Sequence, residues 1–146
     1  MRRAAAISSL AFVCLFGCAR KTDPIRETID AVVKAANARD AAAALARVSP
    51  DFEAADGTGR LDLEMRLNRY FAAYEILHVT VSDVQIEKGS GAARVRLRAQ
   101  MSGQPRSVGG LSGLLPSNAT YDFELRLVND GEAWKVGFAG WTPVSP

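Results

Sequence analysis

The spacing of apolar residues changes once along this chain, near Glu75, and that change restricts the fold more than any other feature. Upstream, Ile25, Ile29, Val32, Val33 and Ala36 recur at helical spacing and form one stripe. Asp23-Pro24 supplies a capping acid and then a proline at the first helical position, so a helix is predicted over 24–38. Asp40 caps a short alanine-rich helix, "AAAALARV", which Ser49-Pro50 should end. "DFEAAD" reads as a short strand and "GTG" as a turn. Asp62 opens a third helix, with Leu63, Leu67, Tyr70, Phe71 and Tyr74 on one face.

Downstream the period is two. Leu77, Val79 and Val81 share a face, but Val84 and Ile86 have the opposite parity, which predicts a β-bulge near Ser82-Asp83. "EKGSGA" makes a hairpin turn. Val95, Leu97, Ala99 and Met101 then alternate with Arg94, Arg96, Arg98 and Gln100. Tyr121, Phe123, Leu125 and Leu127 alternate with Asp122, Glu124 and Arg126. Asn129-Asp130-Gly131 signals another hairpin, after which Trp134, Val136 and Phe138 continue the apolar face. Helices first and long one-sided strands afterwards give an α+β domain, a curved antiparallel sheet packed on three N-terminal helices. Val95, Leu97, Phe123, Leu125, Trp134 and Val136 should be buried, and Arg96 and Glu124 exposed.

The head of the chain has a separate logic. Arg2 and Arg3 precede an apolar run too short to span a bilayer, the pattern of an export signal. It ends in "LFGC", which resembles the lipobox of bacterial lipoproteins by Leu15, Gly17 and Cys18. That resemblance implies that Cys18 is acylated, with a palmitate-type chain, and becomes the first mature residue. Expected boundaries are a signal peptide over 1–17, a lipidated tether over 18–23 and one cone-like domain over 24–146. The protein is then held on a membrane of the bacterial envelope, outside the cytoplasm, where Arg20 and Lys21 are available to anionic headgroups. Cys14 leaves with the signal, so no disulfide can form.

Loss of residues 1–17 removes two basic residues from 18 and none of the 16 acidic ones, so the mature chain is near neutral. It lacks the basic face that nucleic-acid binding requires, and no nucleic-acid partner is expected. No glycine-rich phosphate loop or Gly-x-Ser-x-Gly elbow occurs, so no cofactor is expected. One histidine and an acylated cysteine cannot complete a metal site.

The element order, from the long helix through "ARDAAAALARVSPDF" to the hairpins ending in "YDFELRLVNDGEAWKV", resembles the nuclear transport factor 2-like superfamily over roughly residues 24–142. The resemblance implies a cone, a bent sheet wrapped around a long helix, but the functions of the superfamily are too varied to transfer. Its enzymes, such as ketosteroid isomerase and scytalone dehydratase, place carboxylates, tyrosines or histidines inside the cone. Here the first helix has no tyrosine, Asp51 and Asp56 read as solvated turn acids, and His78 alternates onto the outer face.

The favoured reading is therefore a non-catalytic envelope lipoprotein whose cone binds a small apolar ligand or a protein partner. Tyr70, Phe71, Tyr74, Tyr121, Phe123 and Trp134 are the candidate pocket residues, although at these spacings each also suits a core. The segment 102–119 reads as a long loop, and Val108, Leu111, Leu114 and Leu115 within it suit a lid over the mouth of the cone. The alternatives are an isomerase- or dehydratase-type enzyme, told by an acid or His78 inside the cavity, and a purely structural or assembly protein, told by a filled core.

Overall fold

The computed structural model describes residues 21–106 and 116–145. Helix α1 spans Pro24–Ala38, and the Asp23 carboxylate accepts from the Ile25 amide at 2.9 Å, as the capping signal predicts. Arg39 ends it in the left-handed region, with φ 53°. Asp40 then caps α2, Ala41–Leu45, by accepting from the Ala43 amide. This helix stops short of the expected Ser49-Pro50, because both residues belong to β1, Val48–Ala54. Proline is tolerated there since β1 forms a sheet edge. Helix α3 spans Arg60–Ala73 and starts two residues before Asp62, which falls in its first turn, where the positive end of the helix favours an acid. Tyr74 is not helical but opens β2, Tyr74–Lys88.

Strands β3, Ala92–Pro105, β4, Asn118–Asn129, and β5, Trp134–Pro143, complete one curved sheet ordered β1-β5-β4-β3-β2. The fold is α+β and cone-like, as expected, but the sheet is mixed, because β1 runs parallel to β5. Hairpin turns force antiparallel pairing only on consecutive strands. β1 is separated from β5 by α3 and three strands, so no turn chemistry signals its direction.

Two bulges decide which side chains face the helices. The expected one breaks the β2 register between Ser82 and Gln85, with Asp83 at φ 54°, and returns Val84 and Ile86 to the core side. The other lies in β5. Arg126 pairs with Phe138 but Leu127 pairs with Val136, which leaves Gly137 as the extra residue. Phe138 therefore turns outward, contrary to simple alternation, and the Arg126 guanidinium lies 4.5 Å from its ring centre. Ala139 and Trp141 turn inward in its place, opposite Leu125 and Phe123.

The sheet also extends into the segment expected to be a loop. β3 stays paired with β2 as far as Pro105, so only residues 106–117 separate β3 from β4. Gly103 is required there: a Cβ would lie 2.7 Å from Tyr74 Cδ1 and 2.8 Å from the Ile76 carbonyl.

Val95, Leu97, Leu127, Trp134 and Val136 are buried with Ile25 and Ile29 in the main core, and Arg96 and Glu124 are exposed. Phe123 and Leu125 are only half-buried, a departure explained by the cavity they face. Two polar contacts fix α1 against the sheet. Thr28 Oγ1 donates to the Trp134 carbonyl at 2.9 Å. Asn37 Nδ2 donates to the Val79 carbonyl at 3.0 Å while its Oδ1 accepts from the Val79 amide at 2.6 Å, so a helix side chain pairs with an edge strand as another strand would.

Candidate functional site

Helices α1 and α3 do not fill the bend of the sheet. A cavity of about 290 Å³ lies between them. Ile29, Val32, Val33 and Ala36 approach it from α1, and Leu63, Leu67 and Tyr70 from α3. Ala36, Ala99 and Ala139 supply short side chains on opposing walls where a filled core would carry large ones, and that leaves the space. Among the described residues on its wall there is no carboxylate, histidine, lysine or arginine. Tyr70, Trp141 and Met101 carry polar atoms, but the surface that the described residues present to the cavity is almost wholly carbon.

Tyr70 is half-buried and stacks at a tilt on Tyr74, ring centres 4.9 Å apart. Its hydroxyl meets Met101 Sδ at 4.0 Å. Burial, reinforced by the neighbouring Tyr74 phenol, pushes its pKa well above the ordinary tyrosine value, so it stays protonated. Tyr74 differs: its hydroxyl donates to the Pro116 carbonyl at 2.8 Å, and the residue is almost wholly buried.

The structure brings Tyr70, Phe71 and Phe123 together on the cavity wall and places the other candidates elsewhere. Tyr74 sits behind Tyr70, and Tyr121 meets Phe123 edge-on at 6.2 Å outside the lining. Trp134 is packed in the core at the start of β5, with Lys88 Nζ 5.5 Å from its ring centre. Cys18 and the candidate lid residues Val108, Leu111, Leu114 and Leu115 lie outside the described residues. The chain on either side of residues 107–115 meets beside Tyr74: the Arg106 amide donates to the Ala73 carbonyl, and the Gly103 amide to the Ser117 carbonyl.

Trp141 is the wall residue that strict alternation misses. It is 41% exposed and its ring centre lies 6.2 Å from that of Phe123, so it borders both cavity and solvent. The signal was present in "VGFAG", since glycines inside a strand mark bulges.

The titratable groups cluster elsewhere. Asp56 accepts from Thr58 and from Arg66 Nη1 at 2.9 Å, contacts that hold its pKa down at about 2 in an exposed turn. Asp51 and His78 are exposed as well, His78 beside Gln100, Ser102 and Asn118 on the outer face. On that face a wider, shallower groove of about 890 Å³ carries Arg96, Arg98, Asp122 and Glu124. Arg98 grips Asp122 through two bonds, at 2.7 and 3.0 Å, and Arg94 lies 3.6 Å from Glu124. These charges neutralise one another in solvent, so the groove is an ion-paired surface rather than an anion site.

No family model and no curated protein matches the sequence. Solved structures do match in fold. Bd1075 of Bdellovibrio bacteriovorus is similar with TM-score 0.69 and 12% identity over 82% of this chain, which spans 40% of the length of that protein. A candidate scytalone dehydratase from Novosphingobium aromaticivorans gives TM-score 0.71 and 14% identity, covering 84% of this chain and 83% of its own. A candidate dehydratase of the NTF2-like family from Streptomyces avermitilis gives TM-score 0.71 and 13% identity, covering 84% and 96%. At these identities the likeness establishes the architecture: this domain has the NTF2-like cone.

Proposed function

We propose that this NTF2-like cone belongs to a lipid-anchored envelope protein that binds a small apolar molecule and performs no chemistry on it. The observation that supports the reading is the wall of the cavity, where the described residues present hydrocarbon and no group able to act as a base. Dehydration or isomerisation needs a positioned group that accepts a proton near neutral pH. Tyr70, the one ionisable residue among the described residues on the wall, is held in its protonated form by burial. The dehydratase descriptions of the structural neighbours apply to those proteins, and the acid and histidine residues of this chain named above lie outside the cavity wall.

The binding half of the reading is tested with tetralin, a neutral two-ring hydrocarbon, titrated into the purified full-length chain and into Ala99→Phe, which places a ring in the cavity. Saturable binding should be present in the first protein and lost in the second. Equal behaviour of the two refutes the cavity as the site. The anchoring half rests on the lipobox-like "LFGC". Cys18→Ser should move the protein from the detergent phase to the aqueous phase, because stable attachment requires the acyl chains; unchanged partition refutes it.

A further inference from the structure

We propose that the domain stands on its membrane with the closed end of the cone towards the bilayer and the mouth away from it, so that the ligand enters from the aqueous compartment and not from the anchoring leaflet. The inference rests on the anchored, ligand-binding reading above and adds the source of the ligand. Three neighbouring strands locate the mouth. Along β3 the inward side chains pass from wholly buried Val95 to half-buried Met101. Along β4 they pass from wholly buried Leu127 to half-buried Phe123, and along β5 from buried Trp134 to exposed Trp141. Register sets Leu97 opposite Phe123 and Phe123 opposite Trp141, so the three gradients run the same way in space. Among the described residues, the cone is shut at the end holding Val95, Leu127 and Trp134 and opens at the end holding Trp141.

Helix α1 ties the anchor to the closed end. Its second turn is held there by the Thr28 hydroxyl on the Trp134 carbonyl, and Ile25 is buried in the same core as Val95, Leu127 and Trp134. At the other end of the helix Arg39 Nη1 donates to the Tyr74 carbonyl, and Tyr74 pairs with Pro105, past Met101 on β3. Between these ends lie 15 residues, about 22 Å of helix. The tether, residues 18–23, spans at most about 20 Å. With Lys21 at anionic headgroups, only Thr22 and Asp23 separate the membrane from Pro24, a reach of about 10 Å. An inverted cone would need more chain than that to bring its mouth to the bilayer. The closed end suits the lower position, because its turns at Gly89-Ser90-Gly91 and Asn129-Asp130-Gly131 are exposed and polar. The Asn129 amide donates to the Gly91 carbonyl, which joins the two turns into one surface.

The experiment uses the acylated full-length chain in nanodiscs of phosphatidylcholine and phosphatidylglycerol containing a small fraction of a gadolinium-chelate lipid. The amide NMR signals of Gly89, Gly91 and Gly131 should be broadened several times more than the Trp141 indole signal. Insertion of about twenty Gly/Ser residues between Thr22 and Asp23 should erase that contrast, because a flexible linker of that length no longer fixes the domain. A second arm reads the source of the ligand. In nanodiscs whose phosphatidylcholine is spin-labelled on its acyl chains, the Trp141 indole signal should survive. Broadening of Trp141 by the gadolinium lipid equal to or above that of the three glycines overturns the orientation. Loss of the Trp141 signal to the chain label shows a lipid chain drawn into the cavity and overturns the aqueous source. In both cases the anchor and the apolar cavity stand. A native chain that washes off the nanodisc as Cys18→Ser does, or that fails to bind tetralin, refutes the reading above, and this inference falls with it.

Discussion

Asn37 joins the long helix to the edge of the sheet, and its removal should loosen the cone without touching its apolar wall. In Asn37→Ala both bonds to Val79 are lost, the 3.0 Å bond to its carbonyl and the 2.6 Å bond from its amide. A net hydrogen bond contributes about 0.5–1.5 kcal/mol, so the pair gives about 1–3 kcal/mol. The upper half of that range is expected, because Val79 is 9% exposed and water reaches its stranded groups poorly. Asn37→Asp should be at least as costly at neutral pH. Its carboxylate still accepts from the Val79 amide but sets a second oxygen against the Val79 carbonyl. Urea unfolding is the assay: with a slope of about 2 kcal/mol/M, the midpoint should fall by roughly 1–1.5 M while the slope is unchanged. A loss below about 0.3 kcal/mol for Asn37→Ala would refute the claim that this side chain holds α1 to β2.

Gly103→Ala places a methyl carbon within 2.8 Å of the Tyr74 ring and the Ile76 carbonyl, so an overpacking loss of about 1–3 kcal/mol is expected in the same assay. Leu127→Ala, at a fully buried position, should cost about 3–5 kcal/mol, whereas Leu125→Ala should cost less because Leu125 already borders open space. Equal losses would mean that the cavity is filled. Asp130 accepts from the Ala133 amide, from Lys135 and from the Glu132 amide, contacts that depress its pKa to about 2. A depressed carboxylate stabilises the fold above its unfolded pKa near 4 and loses that effect as pH falls towards 2, so the 129–133 turn should loosen in that window. Carboxyl NMR titration should find Asp130 and Asp56 titrating well below the ordinary aspartate range; ordinary midpoints would contradict the turn geometry.

Much of the scaffold was legible because its signals are local. Asp23-Pro24 and Asp40 cap the helices they announce, and the parity change at Val84 locates a bulge that the structure confirms at Asp83. Errors arose where a contact distant in sequence decides the outcome. Gly103 looks like a loop residue until the Tyr74 ring is seen above it. The direction of β1 depends on a partner more than eighty residues away, Val48 opposite Val136. The bulge at Gly137 turns Phe138 outward and Trp141 inward, so Trp141 reaches the cavity, while Trp134, which precedes the bulge, is packed in the core at the start of β5. Aromatic content pointed towards the cavity region, but the void itself comes from Ala36, Ala99 and Ala139, whose convergence no single segment reveals.

The central claim is that the interior of the cone, and not its outer face, receives a small apolar molecule. Methyl and indole NMR spectra of the chain titrated with tetralin test it most directly. Saturable shifts should concentrate at Val32, Leu67, Ala99, Leu125 and the Trp141 indole N–H, with Trp134 and the Arg96–Glu124 surface unmoved. Shifts confined to the outer sheet around Arg98, Asp122 and Phe138, with the cavity methyls silent at saturation, would contradict it.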